Sequence, residues 1–291
     1  MKVALALAVL VGALVAPCVA SAGPWTPEPG GGYLKLQARW LPGIGWFPGP
    51  EDPRGSAVIG PYNEVFLGGV YAELGLLPRL AVTLHSDGLR LFVLDNPDEP
   101  PRAHVSVGEP ALGLRLQAVQ AGPFAAGISA AIRFPTRGNA PVQDIVSVDD
   151  HAVVGGLRVG TGVLEGSGNL ELGLGLRRVY FAGSVGLARR TGGWDTVLAW
   201  SVEGGWSPGK LQTTRLRLRV GGVHPLGDGD APYHASPSGI GNGTRYVAFT
   251  FEVERVVTDL LSLGVSLAGG LGPVARQTGG PVITGYAALS W

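Results

Sequence analysis

Residues 215 to 220 read Arg-Leu-Arg-Leu-Arg-Val, so Arg215, Arg217 and Arg219 alternate strictly with Leu216, Leu218 and Val220. On an extended strand successive side chains point to opposite faces, which puts three cations on one side and hydrocarbon on the other. Other charges fall on segments of the same alternating kind: Glu203, Glu252, Glu254, Arg115, Glu171 and Arg177. In a soluble sandwich the leucines would form the core and the arginines would be wet. In a transmembrane barrel the pattern is inverted, with the leucines against lipid and the cations enclosed. Close cations in a narrow bore are tolerable only when they are paired. If sequential strands are neighbours, Glu203 on one side and Glu252 and Glu254 on the other flank the arginine row. The row is therefore expected to be a salt-bridged ladder, which either fills the bore as structure or biases it toward anionic and polar solutes.

Other residues suited to chemistry form weaker patterns. The run His85-Ser86-Asp87-Gly88 loosely resembles the His/Ser arrangement of outer-membrane phospholipases, but adjacent strand residues face opposite ways and cannot bond directly. Asp149, Asp150 and His151 loosely resemble the Asp/His sites of outer-membrane proteases, without a second acidic pair. His104, His224 and His234 lack metal-ligand spacing, and the two aspartates of residues 227–230 do not fill a calcium shell. No metal, cofactor or catalytic residue is expected, and the chain is read as a non-enzyme.

The elements that must hold the charges are strands. The chain carries 48 glycines and only 15% charged residues, against the usual quarter or so, with a mean hydropathy of +0.25. No stretch beyond the N-terminus approaches the roughly 18 apolar residues of a spanning helix. The hydrophobicity is spread by period-2 alternation, which predicts strands near 33–41, 63–75, 80–86, 110–119, 123–134, 151–161, 169–179, 195–206, 211–223, 245–255, 260–271 and 281–291. Short turns at 75–79, 120–122, 164–168, 207–210 and 256–259 alternate with longer stretches at 42–62, 87–107, 135–150, 180–194, 224–244 and 272–280. Short inner turns and long outer loops are how an outer-membrane barrel is wound.

Trp40, Trp46, Tyr62, Tyr180, Trp194 and Tyr246 fall toward one set of strand ends and Tyr33, Tyr71, Trp206 and Trp291 toward the other, as two interfacial girdles would. Inward glycines such as Gly173, Gly205 and Gly264 leave room for neighbouring large side chains, which suggests a filled or narrow bore. Lys2, the apolar run after it and Ala20-Ser21-Ala22 read as a cleavable export signal over 1–22, with a barrel over 23–291. The lone cysteine, Cys18, lies in that leader. The equal counts of acidic and basic residues, 22 each, give no argument for nucleic acid.

The phrases YAELGLLPRLAVTL (71–84), GEPALGLRLQAV (108–119) and IRFPTRG (132–138) resemble the strand-turn-strand segments of poorly characterised bacterial outer-membrane barrels. These barrels are of the phenol-degradation meta-pathway transporter type and, more distantly, the fatty-acid transporter-like type. The resemblance implies a Gram-negative outer-membrane location and uptake of small hydrophobic compounds, and transfers no site. The alternating C-terminal strand ending in Trp291 resembles the signal read by the barrel-assembly machinery. The expectation is an all-β, up-and-down antiparallel barrel of about twelve strands, monomeric, in contact with outer-membrane lipid. Its function is expected to be passive passage of small solutes through a narrow, charge-lined lumen. Alternatives are a closed-bore structural or surface-interaction barrel whose outer loops bind a ligand, and, weaker, a lipid-directed hydrolase using His85 or His151. A soluble periplasmic β-sandwich is the alternative fold.

Overall fold

A chain whose apolar residues alternate cannot bury a helical stripe. In hydrocarbon, every N–H and C=O of such a chain must find a partner on a neighbouring strand, which only a closed ladder provides. The computed structural model describes residues 23–43, 45–47, 62–94, 102–136, 161–209, 212–231, 241–272 and 277–291. The expected leader (1–22), residues 151–160 of the expected strand at 151–161, and Asp149, Asp150, His151 and His234 lie outside the described residues.

The strands are β1 (Gly32–Gly43), β2 (Gly45–Phe47), β3 (Tyr62–Leu77), β4 (Leu80–Ser86), β5 (Leu89–Leu94), β6 (Arg102–Val107), β7 (Ala111–Ala121) and β8 (Phe124–Arg133). They continue as β9 (Glu165–Gly175), β10 (Val179–Arg190), β11 (Val197–Trp206), β12 (Thr214–Pro225), β13 (Tyr246–Val256), β14 (Leu261–Gly270), β15 (Gln277–Gly279) and β16 (Val282–Ser290). Fourteen of them form one antiparallel sheet in the order β1-β16-β14-β13-β12-β11-β10-β9-β8-β7-β4-β3-β5-β6, and β1 also pairs with β3, which closes the barrel. Both β4 and β5 pair with β3, at 70–77 and 62–67, so they are one stave interrupted at residues 87–88. Likewise β6 pairs with β5 and β7 with β4, making a second interrupted stave. The wall therefore has twelve staves. The remaining pair, β2 with β15, is a small ribbon beyond one rim.

Tight connections at 78–79, 122–123 and 176–178 lie at the end that also holds both described termini, here called the turn end. The other rim is the loop end. Backbone bonds in both directions between Gly32 and Trp291, 2.9 and 3.1 Å, tie the two chain ends of the wall together.

Polarity is inverted relative to a soluble protein. Glu73, Glu171, Glu252 and Glu254 are buried, while Leu112, Leu114, Leu172 and Leu218 are exposed, and Leu170, at the middle of β9, is 61% exposed. The leucines of β12 meet no second sheet among the described residues, so the sandwich alternative fails. An arginine placed in the lipid belt at mid-height costs about 2–4 kcal/mol. Leu170→Arg is expected to lower stability by that amount in urea unfolding from vesicles. A change within about 0.5 kcal/mol, ordinary for a wet surface, would mean that this face does not touch acyl chains.

Three expectations are corrected. The strand expected at 169–179 runs instead over 165–175, so residues 164–168 are not a turn. The stretch 180–194, read as a loop, is mostly β10. Its inward face carries only Ala182, Ser184, Gly186 and Ala188 above Tyr180 and so shows little contrast with its outward one. Part of the loop expected at 87–107 is wall, since Leu89–Leu94 and Arg102–Val107 pair with each other. The girdles are also thinner than expected. Trp40, Trp206 and Trp291 are exposed near strand ends, whereas Tyr71 and Tyr180 turn inward onto carboxylates.

Candidate functional site

Register places the opening row beside its partners. On one flank Arg219 pairs across from Glu203, and on the other Arg215 and Arg217 lie across from Glu254 and Glu252. Charges opposite one another on one face of adjacent strands are close enough to bond. Arg215 Nη1 donates to Glu254 Oε1 at 2.7 Å. Arg217 bridges Glu252 and Glu254 through its two terminal nitrogens. Lys35, reaching from β1, donates to Glu252 Oε2 at 3.2 Å and stands 3.7 Å above the Tyr286 ring. The Tyr286 hydroxyl lies 3.0 Å from both Glu252 Oε1 and Glu254 Oε2. Glu254 is wholly buried within this set.

A second cluster occupies another sector of the wall. Arg115 on β7 donates to Glu73 on β3 at 2.8 Å, and its Nε lies 3.2 Å from Glu171 on β9. Tyr71 donates to Glu73 at 2.9 Å and Ser129 donates to Glu171 at 2.6 Å. Around these enclosed carboxylates, cations and hydroxyls stand in for the water lost on burial. Of the predicted bore residues, Arg215, Arg217, Arg219, Glu203, Glu252, Glu254, Arg115 and Glu171 all enter these ion pairs. Arg177 does not. It stands exposed in the turn at 176–178, because β9 ends at Gly175, short of the strand expected there.

The turn end of the bore holds something the alternation pattern did not predict. Residues 23–31 fold inside the wall as a strap. Gly30 N–H donates to Gly75 O and Gly75 N–H to Gly31 O, both at 2.9 Å, which fixes the strap to β3. Thr26 donates through N–H and hydroxyl to Gln117 Oε1 on β7, at 3.3 and 3.2 Å. Pro24 is fully buried, and Trp25 meets Tyr180 edge-on with ring centroids 6.3 Å apart. Gly23 reaches Ala182 on β10, the sixth stave from β1 in either direction round the wall. Wall glycines make this possible: a Cβ on Gly173 would sit 2.4 Å from the Trp25 ring. Glycines facing inward on neighbouring staves were the sequence signal for a filler, which nothing in the local pattern identified as the chain's own N-terminal segment.

The His85 pattern does not assemble. His85 Nε2 is 3.9 Å from Asp87, whose carboxylate is held by Arg39 and Arg90 at the break between β4 and β5. Ser86 accepts from Gly88 N–H at 3.3 Å and is adjacent to His85 on the strand. At the loop end Asp228 accepts from Thr196 N–H and hydroxyl, each at 2.7 Å, and from Arg189. Those hydrogen bonds, Thr196 first, hold the Asp228 carboxyl below the usual carboxylate range and tie the loop ends after β10 and β12 together.

No protein-family model matches the chain, and no curated protein does. Among solved structures it is similar to the COG4313 outer membrane channel from Pseudomonas putida F1, at 11% identity over 93% of this chain and 99% of that one, with a TM-score of 0.58. It is also similar to NanC porin, at 6% identity over 89% of this chain and 98% of that one, with a TM-score of 0.51. At these identities the likeness shows the fold alone: a closed antiparallel barrel of the outer-membrane type.

Proposed function

We propose that the chain is a Gram-negative outer-membrane barrel through which small solutes pass passively, exported by the leader 1–22 and inserted by the assembly machinery through the strand ending in Trp291. The observation that carries this reading is the vertical division of the bore. Paired charges and the strap narrow the turn end, while a cavity of about 320 Å³ opens above them, between Arg219 and the loop end. The narrowness argues for small solutes, and the ion-paired wall argues for polar or anionic ones over long alkyl chains. The channel and porin names of the two similar structures agree with passage of this kind.

The refolded barrel is expected to give small, resolved single-channel steps in planar bilayers, with a reversal potential biased toward anions. Arg219→Glu is expected to reverse that bias, because its side chain is 56% exposed to the bore and the neighbouring Arg217 only 12%. A protein that inserts but never conducts, with or without the strap, would sink the reading in favour of a closed structural barrel. That alternative draws on the same strap, which leaves the turn end filled.

A further inference from the structure

Arg219 differs from the other cations of its row. Its one ion pair among the described residues is a single 3.4 Å contact from Nε to Glu203, and Glu203 is also held by the Tyr180 hydroxyl. Its side chain, 56% exposed, lines the cavity, and the contact to Glu203 uses Nε rather than a terminal nitrogen. Toward the loop end the next inward positions on β12 are Gly221 and Val223, so nothing bulky on that stave covers the guanidinium. Around it the inward residues are Asn169, Ser184, Ser201, Tyr246 and Thr250, with the two serine hydroxyls 2.9 Å apart. Below it the ladder and the strap narrow the bore.

We propose that this cavity is a binding site for a small hydroxylated carboxylate, entered from the loop end, whose carboxylate docks on the terminal nitrogens of Arg219. A planar guanidinium presents two parallel N–H donors that match a carboxylate. The serine, threonine and asparagine side chains offer hydrogen bonds that an alkyl body would leave unmade, and leaving them unmade costs affinity. Glu203, at 3.4 Å, already offsets part of the positive charge of Arg219, so a monoanion is favoured over a phosphate dianion. The volume, about 320 Å³, is at the small end of ligand pockets and suits a single acid rather than an oligomer. The proposal deepens the channel reading, since it rests on the cavity being open at the loop end.

The test is calorimetric titration of the detergent-solubilised, refolded full barrel with gluconate, with hexanoate as a carboxylate of similar length without hydroxyls. Gluconate is expected to bind saturably with one site, and hexanoate several-fold more weakly. Arg219→Gln is expected to weaken gluconate by about ten- to a hundredfold, the worth of a charged hydrogen bond. Arg219→Lys should fall between the two, and unaltered heat-modifiable gel mobility would show that both variants fold. No gluconate binding, equal binding by Arg219→Gln, or hexanoate binding as tight as gluconate would each overturn the site. Because the titration needs no current, a barrel that binds gluconate but stays silent in bilayers would sink only the passage reading, and a conducting barrel that binds none would sink only this one.

Discussion

Removing residues 24–28 is expected to raise the single-channel conductance several-fold. The wall does not depend on those residues, since closure runs through β1 with β16 and β3, and the bonds that anchor Gly30 and Gly31 to Gly75 lie outside the deletion. What the deletion takes away is volume inside the bore: the buried Pro24, the Trp25 ring and the carbonyls of Pro27 and Glu28 that sit over Gly75. Conductance in a narrow pore falls steeply with its tightest section, so the element filling that section has the largest lever. Gly173→Val tests the same point without shortening the chain. Its added Cβ would stand 2.4 Å from the Trp25 ring and 2.9 Å from Pro24, and the strap must leave or the wall must bend. Both variants should conduct alike. If neither differs from the parent protein, the strap is not the limiting section, and the paired charges alone set the bore.

Much of this architecture was written in period-2 alternation, because a lipid belt and an enclosed polar face oppose each other as strongly as two environments can. Residues 215 to 220 show it most clearly, and their partners followed from the rule that sequential strands are neighbours. The rule gave way where the inner face is not polar but small. On β10 the inward Ala182, Ser184, Gly186 and Ala188 contrast weakly with the outward Gly183, so alternation alone does not reveal the strand. Asp87 and Gly88 carry turn chemistry, yet they only kink a stave that continues as β5. Arg177 inherited its wrong assignment from the misplaced end of β9. The tyrosines illustrate a different limit. Alternation assigns Tyr286 a face, but that its hydroxyl spans two carboxylates depends on distances between staves that no single segment encodes. The strap was the least legible part. Its residues are dominated by proline and glycine, with no period, and what positions them are hollows in staves far away in sequence.

The second large effect concerns the ladder itself. Glu254→Gln preserves shape but takes a negative charge from between Arg215 and Arg217, both of which donate to it. Glu254 has no exposed surface and the two arginines are only 22% and 12% exposed, so water replaces little of what the carboxylate supplied. Removing one partner of a buried ion pair costs about 3–5 kcal/mol, whereas an exposed pair is worth roughly 1 kcal/mol or less. The variant is therefore expected to lose about 3–5 kcal/mol in urea unfolding from vesicles, with its folded-state spectrum unchanged. Combining it with Arg215→Met should return part of that loss, because the second substitution removes one of the two cations that the first deprived of the Glu254 charge. A coupling of that sign in the double-mutant cycle is the mark of an enclosed pair. The same cycle separates the two accounts of the arginine row. If Glu254→Gln cost less than about 1 kcal/mol and showed no coupling to Arg215, the charges would be solvated in a wide aqueous bore. In that case the strap, rather than the ladder, would have to carry all of the narrowing.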